Sequence, residues 1–122
     1  MQTRELQRAI KAHALYLSSD GNKGTRLFIN SQTFKEVDFS GMDLSKADLD
    51  YCTFDGCQFY NTKFKKTSLI NCVFKSYVSC DFQEAELHGA SFDYGNNLSE
   101  CNFQGAQLSK VCFYDKILKG AN

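Results

Sequence analysis

The stretch FKEVD FSGMD LSKAD LDYCT FDGCQ FYNTK FKKTS LINCV F, residues 34–74, decides the fold. Written in groups of five, every group opens on Phe or Leu. Neither the 3.6-residue period of a helix nor the 2-residue period of a strand gives a spacing of five. We call these residues the centres, and the full set is Ile29, Phe34, Phe39, Leu44, Leu49, Phe54, Phe59, Phe64, Leu69, Phe74, Phe82, Leu87, Phe92, Leu98, Phe103, Leu108, Phe113 and Leu118.

Two further positions of the five-residue unit support the repeat. The slot, two residues before a centre, holds mostly small side chains such as Ala47, Cys52 and Thr62. The corner, two residues after a centre, holds five of the eight Gly residues, as expected where the backbone must turn. Each unit is therefore predicted to be a short straight edge and a turn, with two side chains inside and three outside.

Several units fit the loose pattern A-(D/N)-L-x-x, among them Ala47-Asp48-Leu49, Cys101-Asn102-Phe103 and the closing Gly120-Ala121-Asn122. On these residues and the period, the chain resembles the pentapeptide-repeat family over roughly residues 26–122. The resemblance implies an all-β solenoid, a right-handed quadrilateral parallel β-helix with about 20 residues per coil and about 4.5 coils. It also suggests a bacterial or phage origin.

The N-terminal segment is predicted to cap this β-helix. Residues 3–17 have the pattern of an amphipathic helix, which ends at Ser18-Ser19-Asp20-Gly21. The apolar face consists of Leu6, Ile10, Ala14 and Leu17. Because an open coil exposes both core and strand edges, a cap is required. We therefore predict a single domain with a capping helix and connecting loop at 1–25 and the β-helix at 26–122.

Two breaks in the period decide which residues share a side of the β-helix. We interpret residues 75–79 as a loop with three extra residues and Gly95 as a bulge of one. On this interpretation, side one stacks Phe34, Phe54, Phe74, Leu98 and Leu118, and side two stacks Phe39, Phe59, Phe82 and Phe103. Side three stacks Leu44, Phe64, Leu87 and Leu108, and side four stacks Ile29, Leu49, Leu69, Phe92 and Phe113.

Charge is balanced overall and is predicted to be uneven between sides. The 14 basic and 14 acidic residues cancel, which argues against a generic nucleic-acid binder and against a wholly acidic mimic of nucleic acid. Sides two and four together are predicted to carry seven carboxylates and no Lys or Arg, namely Asp38, Asp81, Glu84, Asp48, Asp50, Asp93 and Asp115. Side three is predicted to be basic, and a phosphate-binding role there would rest on Lys63, Lys65 and Lys66.

Side four is the candidate partner-binding face, because it combines carboxylates with outward aromatic side chains. Exposed Tyr is enriched at recognition surfaces. The candidate residues are Asp48, Asp50, Tyr51, Ile70, Asp93, Tyr94, Tyr114 and Asp115. The alternative is that these side chains only cover the β surface, with Asp at positions that favour turns.

The sequence carries no readable catalytic or metal-binding constellation. Five of the six Cys lie in slots, where Cys behaves as a small apolar residue, and there is no C-x-x-C pair. His13 and His88 lie far apart in the repeat, so we expect no metal site, no cofactor and no enzymatic activity. Cys112 is outward and is the candidate for a reactive thiol. The predicted columns place Cys57, Cys80 and Cys101 in one stack, close to disulfide distance.

The leading hypothesis is a non-enzymatic module that presents flat β-helix faces to an unknown protein partner. The resemblance implies an alternative, a partial DNA mimic that binds DNA gyrase, topoisomerase or another DNA-binding protein. A homodimer is expected through the C-terminal end, unless the sequence is incomplete there; the candidate residues are Val111, Phe113, Ile117 and Leu118. With no signal peptide and no 18-residue apolar run, we expect a cytoplasmic protein that binds neither membranes nor, directly, nucleic acid.

Overall fold

The computed structural model describes residues 3–77, 80–93, 98 and 100–113. It is a parallel β-solenoid of about four coils preceded by one helix, which confirms the predicted fold class. The elements are α1 (Thr3–Ser18), β1 (Thr33–Lys35), β2 (Thr53–Gln58), β3 (Thr62–Lys63), β4 (Val73–Tyr77), β5 (Cys80–Asp81), β6 (Ser91–Phe92) and β7 (Cys112–Phe113). Strands β1, β2, β4, β6 and β7 form one sheet in that order, and β3 pairs with β5.

Many corners are β-turns closed by a hydrogen bond to the carbonyl of the centre. The Leu44 carbonyl, for example, accepts the Ala47 N–H at 3.1 Å. Thirteen corner residues adopt positive φ, between +56° and +74°, as the third residue of a type II turn requires. Only four of these thirteen are Gly, so the predicted glycine preference marks the corners without being necessary for them.

The Asp or Asn that precedes many centres stabilises the same turns. The Asp38 Oδ1 accepts the N–H of Ser40 at 2.9 Å, two residues further along the chain. Equivalent bonds of 2.9–3.2 Å are made by Asp43, Asp48, Asp81 and Asn102. These Asx-type turns are the physical reason for Asp or Asn at this position of the repeat.

The slot residues do more than fill a narrow space. The Thr67 Oγ1 donates to the Leu44 carbonyl of the coil before at 2.7 Å, and the Thr62 Oγ1 donates to the Phe39 carbonyl at 2.9 Å. Thiols make the same bond at 3.0–3.3 Å in Cys52, Cys57 and Cys72. Slot Thr and Cys therefore donate hydrogen bonds to the backbone carbonyls of centres in the preceding coil, a role that the sequence pattern alone does not reveal.

The core is a set of stacked aromatic columns. Along the main sheet the rings of Phe34, Phe54, Phe74, Phe92 and Phe113 stack with centroids 4.9–5.6 Å apart and interplanar angles of 6–18°. Neighbouring columns meet these rings edge to face, as Phe54 meets Phe59 at 5.3 Å. Both geometries are favourable for aromatic pairs, so the Phe-rich composition directly provides the packing.

The prediction of a loop with three extra residues at 75–79 is wrong, and this changes the side to which the later centres belong. Phe54 pairs with Phe74, which is 20 residues further on, whereas Phe74 pairs with Phe92, which is only 18 residues further on. The third coil is therefore two residues short. Strand β4 runs straight through the expected corner at Ser76, and β5 then pairs with β3. Two sides are thus completed in the eight residues from Phe74 to Phe82, where two full units would take ten.

Each described centre from Phe82 to Phe113 consequently lies one side further round than predicted. Side one contains Phe34, Phe54, Phe74, Phe92 and Phe113, and side two contains Phe39 and Phe59. Leu98 is assigned to side two because it lies in the chain between Phe92 on side one and Phe103 on side three. Side three contains Leu44, Phe64, Phe82 and Phe103, and side four contains Ile29, Leu49, Leu69, Leu87 and Leu108.

The predicted helix is confirmed as α1, and it packs on the first coil with one unexpected inward residue. Leu6 is buried, whereas Ala14, which was predicted to face the core, is exposed. His13 takes the inward place and is only 1% exposed. Its ring nitrogens bond to two backbone groups of the first coil, at Leu27 and Ser45, each at 2.9 Å.

Candidate interaction surface

The observed columns place acidic and basic residues on the same side, where the sequence pattern assigned them to different sides. On side three, Lys66 Nζ lies 3.8 Å from Glu84 Oε2, although the sequence placed these residues on different sides. The same side stacks Asp43, Lys63 and Asp81 in register. Opposite charges on neighbouring strands stabilise a sheet. The expectation of a basic side three beside an acidic side two is therefore wrong.

Side one shows the same alternation on its outward surface. Lys35 pairs with Asp55, and Asp55 pairs with Lys75. The Asp93 N–H donates to the carbonyl of Phe74, which places Asp93 next in this column and not on side four as predicted. Charges of opposite sign therefore alternate along this column.

Side four keeps the combination of acidic and apolar side chains over the part of the chain that the structure describes. The prediction that it carries no Lys or Arg is wrong, because Lys110 is the corner residue after Leu108 on this side. Of the eight candidate residues, side four brings together Asp48, Asp50, Tyr51 and Ile70. Tyr94, Tyr114 and Asp115 lie outside the described residues. Glu86 joins the side in register with Ser68, which in turn pairs with Asp48. We call Phe28, Asp48, Asp50, Tyr51, Ile70 and Glu86 the side-four surface.

Phe28 belongs to this surface and was missed by the sequence reasoning. Its side chain is 62% exposed, and its backbone pairs in parallel with Asp48 of the next coil. A signal was present, because Phe28 is the one Phe of eleven that is not a centre. A large aromatic side chain at an outward position of so regular a repeat has no role in the core.

Tyr51 is the second exposed aromatic side chain of the surface, at 57%. It occupies a corner with φ +63°, a left-handed conformation that bulky side chains adopt at a cost. Among the thirteen positive-φ corners described, it is the one aromatic residue. Residues held in unfavourable backbone conformations cluster at functional sites, which makes Tyr51 a candidate binding residue on physical grounds.

The carboxylates between these aromatic residues are fixed by internal hydrogen bonds. The Asp50 Oδ1 accepts the Ser68 hydroxyl at 2.6 Å and the Ile70 N–H at 2.9 Å. The Asp48 Oδ1 accepts the N–H of Asp50 at 3.2 Å. Because Asp50 links two coils, its charge and the backbone of Ile70 are held in place before any partner arrives.

Concave space is modest, and one small groove of about 220 Å³, between α1 and residues 25–29, includes Phe28 of this surface. A groove of about 450 Å³ between α1 and the first coil is lined by Ile10, Ala14, Leu17, Ser18, Met42 and Asp43. A second, of about 350 Å³, lies beside side three and includes Lys63, Asp81 and Glu100. Within the described ranges, no group of three or more His, Cys, Asp or Glu side chains is placed to hold a metal ion. None of the helices described could cross a bilayer.

The cysteines are buried or exposed as the sequence predicts, but Cys57 does not lie in the predicted column. Five are buried and Cys112 is exposed. Cys80 and Cys101 share a column on side three, but Cys57 lies on side two, so the predicted stack of three is wrong. Burial raises the pKa of the Cys80 thiol, while the hydrogen bond from Cys80 is the main cause that lowers the pKa of Cys101.

The C-terminal candidates for dimerisation are only partly described. Val111 and Phe113 are partly buried against the core, and the Phe113 ring stacks on Phe92 at 5.4 Å. Ile117 and Leu118 lie outside the described residues.

A search of curated proteins finds no match. Among solved structures, the chain is similar to the pentapeptide repeat protein Rfr23 from the cyanobacterium Cyanothece 51142, with 12% identity, a TM-score of 0.28, and coverage of 80% of this chain and 82% of that one.

Two QnrB1 structures, each described as a plasmid-mediated fluoroquinolone resistance protein, are also similar. For the full-length form the identity is 19% and the TM-score 0.29, with 78% of this chain and 71% of that chain covered. For a trypsin-treated variant the identity is 27% and the TM-score 0.29, with 77% and 64% covered. The family model for pentapeptide repeats matches eight copies over residues 38–75 and 80–122, more than half of the sequence. The chain therefore belongs to the pentapeptide-repeat family.

Proposed function

We propose that this protein is a non-enzymatic binding module whose side-four surface docks a protein partner. The observation that carries the proposal is the pair of exposed aromatic side chains, Phe28 and Tyr51, set among carboxylates on one face of a rigid solenoid. Aromatic side chains supply much of the energy at protein interfaces, and a rigid scaffold loses little entropy on binding.

The chemistry of the surface indicates the kind of partner. Asp48, Asp50 and Glu86 share this side with Phe28, Tyr51 and Ile70, and we expect a partner that offers both basic and apolar side chains. Fixed carboxylates contribute mainly to association rate and specificity, while the aromatic contacts contribute most of the affinity. Binding should therefore weaken with salt without being abolished by it.

The experiment is a quantitative affinity capture from a lysate of the source organism, followed by binding measurements on the purified partner. The test variant carries Phe28→Ser and Tyr51→Ser. The matched control carries Tyr60→Ser, because Tyr60 is 58% exposed but lies on side two. We expect a partner whose affinity falls at least tenfold with the test variant and stays within twofold with the control. Equal loss with both variants, or loss with neither, would discard the side-four surface.

The alternative, a partial DNA mimic that binds DNA gyrase, topoisomerase or another DNA-binding protein, is the weaker proposal. It needs extended acidic faces, and the alternating charges on sides one and three do not provide them. A gyrase supercoiling assay decides the matter for that enzyme. Inhibition or protection at micromolar protein would support mimicry, and no effect would remove this target.

We also propose a homodimer through the C-terminal end, involving Val111, Phe113, Ile117 and Leu118. Val111 and Phe113 are only partly buried on the last strand described, which supports an interface there. Light scattering at increasing concentration should show a doubled mass. A strict monomer at high concentration would count against the dimer.

Residues 1–25 and 26–122 are proposed to act as cap and β-helix of one cooperative domain, and the protein is proposed to work in the cytoplasm. Contacts between α1 and the first coil support the first part. A single unfolding transition that is coincident for helix and β signals would test it.

A further inference from the structure

His13 fastens the helix to the solenoid through two backbone groups from different parts of the first coil. The Leu27 N–H donates to Nδ1 at 2.9 Å, and Nε2 lies 2.9 Å from the carbonyl oxygen of Ser45. The side chain is 1% exposed. A histidine with both nitrogens engaged by backbone is held more tightly than packing alone requires.

These two partners fix the protonation state of the ring. A backbone N–H can only donate, so Nδ1 must carry a lone pair. A carbonyl oxygen can only accept, so Nε2 must carry the hydrogen. His13 is therefore neutral in the docked helix, as the tautomer with hydrogen on Nε2.

Protonation of His13 is incompatible with this arrangement. A proton on Nδ1 would point at the Leu27 N–H, so one hydrogen bond would become a contact between two donors. Burial is the largest cause and lowers the pKa of His13, the Arg26 guanidinium lowers it further, and the Ser45 carbonyl and Asp43 carboxylate act in the opposite direction. The Tyr16 ring stacks on the imidazole with centroids 6.0 Å apart.

We propose that His13 is a pH-sensitive latch, and that acidification releases α1 from the first coil while the later coils stay folded. The released helix exposes His13 to water, where its ordinary pKa is 6.5. Because the docked form has the lower pKa, the released form binds the proton more readily. The latch therefore holds fully above pH 6.5 and weakens as the pH falls through and below that value.

The latch can be tested quantitatively in the unmodified protein. The chain has two His residues. His88 is exposed and hydrogen-bonded to Ser109 Oγ, so its signals provide a comparison with a histidine that does not contact the helix. NMR of the imidazole nitrogens gives the tautomer and pKa of His13. Hydrogen exchange between pH 8 and pH 5, corrected for intrinsic rates, gives the opening of residues 3–29 relative to β2 and β4.

The two measurements must agree. The equilibrium constant for helix opening should be larger at pH 5 than at pH 8 by a factor that the docked and released pKa values of His13 determine. With 6.5 for the released form, this factor approaches about thirtyfold when the docked pKa is well below 5. Opening of β2 and β4 should not change in step. His13→Asn, which can accept from Leu27 but cannot titrate, should flatten the pH dependence, and His88→Gln should leave it intact.

The latch would be overturned by hydrogen on Nδ1 at neutral pH, by a pKa for His13 at or above 6.5, or by helix opening that is independent of pH. Parallel opening of all coils would also refute it, because that is global unfolding. The NMR result on the unmodified chain decides the question even where His13→Asn fails to fold.

Discussion

Truncating Phe74 to Ala should be among the most destabilising single changes in the molecule. Its ring is fully buried, stacks on Phe54 at 5.1 Å and on Phe92 at 4.9 Å, and meets Phe59 and Phe82 edge to face, each at 5.8 Å. It therefore joins coils two, three and four. Few positions in a solenoid couple so many repeats.

The magnitude follows from the volume removed and the rigidity of the site. Phe to Ala removes about 100 Å³, and at about 24 cal/mol per Å³ the cavity costs about 2.4 kcal/mol. Lost transfer free energy of the ring adds about 2 kcal/mol. The total of about 4.5 kcal/mol is a large part of the 5–15 kcal/mol that is typical of a domain.

Urea unfolding monitored by circular dichroism measures this loss. With a slope of about 2 kcal/mol per molar urea, the midpoint should fall by about 2 M. Phe113→Ala is the matched control at a concentration where light scattering shows a monomer. Its half-buried ring contacts Phe92 and Phe103 among the described residues, and its loss should cost about 1–2 kcal/mol. A loss at Phe74 below about 2 kcal/mol, or no greater than at Phe113, would refute the stacked-column account of the core.

Three further changes test the turns and slots. Thr67→Val should lower the free energy of unfolding by about 1 kcal/mol, because it removes a buried 2.7 Å hydrogen bond at nearly constant shape. Thr67→Ser keeps the hydroxyl and should preserve that hydrogen bond. Gly89→Ala should lower the melting temperature more than Gly41→Ala: both have φ above +70°, but only the first adds a Cβ that collides with the Asn71 Oδ1. A thiol reagent should label one cysteine quickly in the native protein, and Cys112→Ser should abolish that fast phase.

The repeat predicts the residues of the core almost completely, because a five-residue period buries all its centres only when each unit forms one side of a coil. The phase of Phe34, Phe54 and Phe74 was enough to define side one up to the third coil. What the period cannot predict is how a break is absorbed. Eight residues from Phe74 to Phe82 suit a five-residue unit plus a loop as well as two shortened units. Strand pairing of β4 with β2 selects the latter, because a continued strand keeps its hydrogen bonds.

The candidate surface was predictable only where it did not depend on that break. Asp48, Asp50, Tyr51 and Ile70 precede it and lie together, whereas Asp93 follows it and lies on another side. Phe28 could have been found from its departure from the period. His13 could not, since an inward histidine on a helix gives no sign in sequence of the two backbone groups it meets.

The shortened third coil determines which residues share each face and hence the composition of the side-four surface. Scalar couplings across backbone hydrogen bonds, measured by NMR on deuterated protein, identify each donor and acceptor directly. We predict a coupling between the Asp93 nitrogen and the Phe74 carbonyl carbon, and one between the Ser91 nitrogen and the Cys72 carbonyl carbon. Couplings from these two carbonyls to residues beside Leu98 would instead establish the inserted loop and contradict the account.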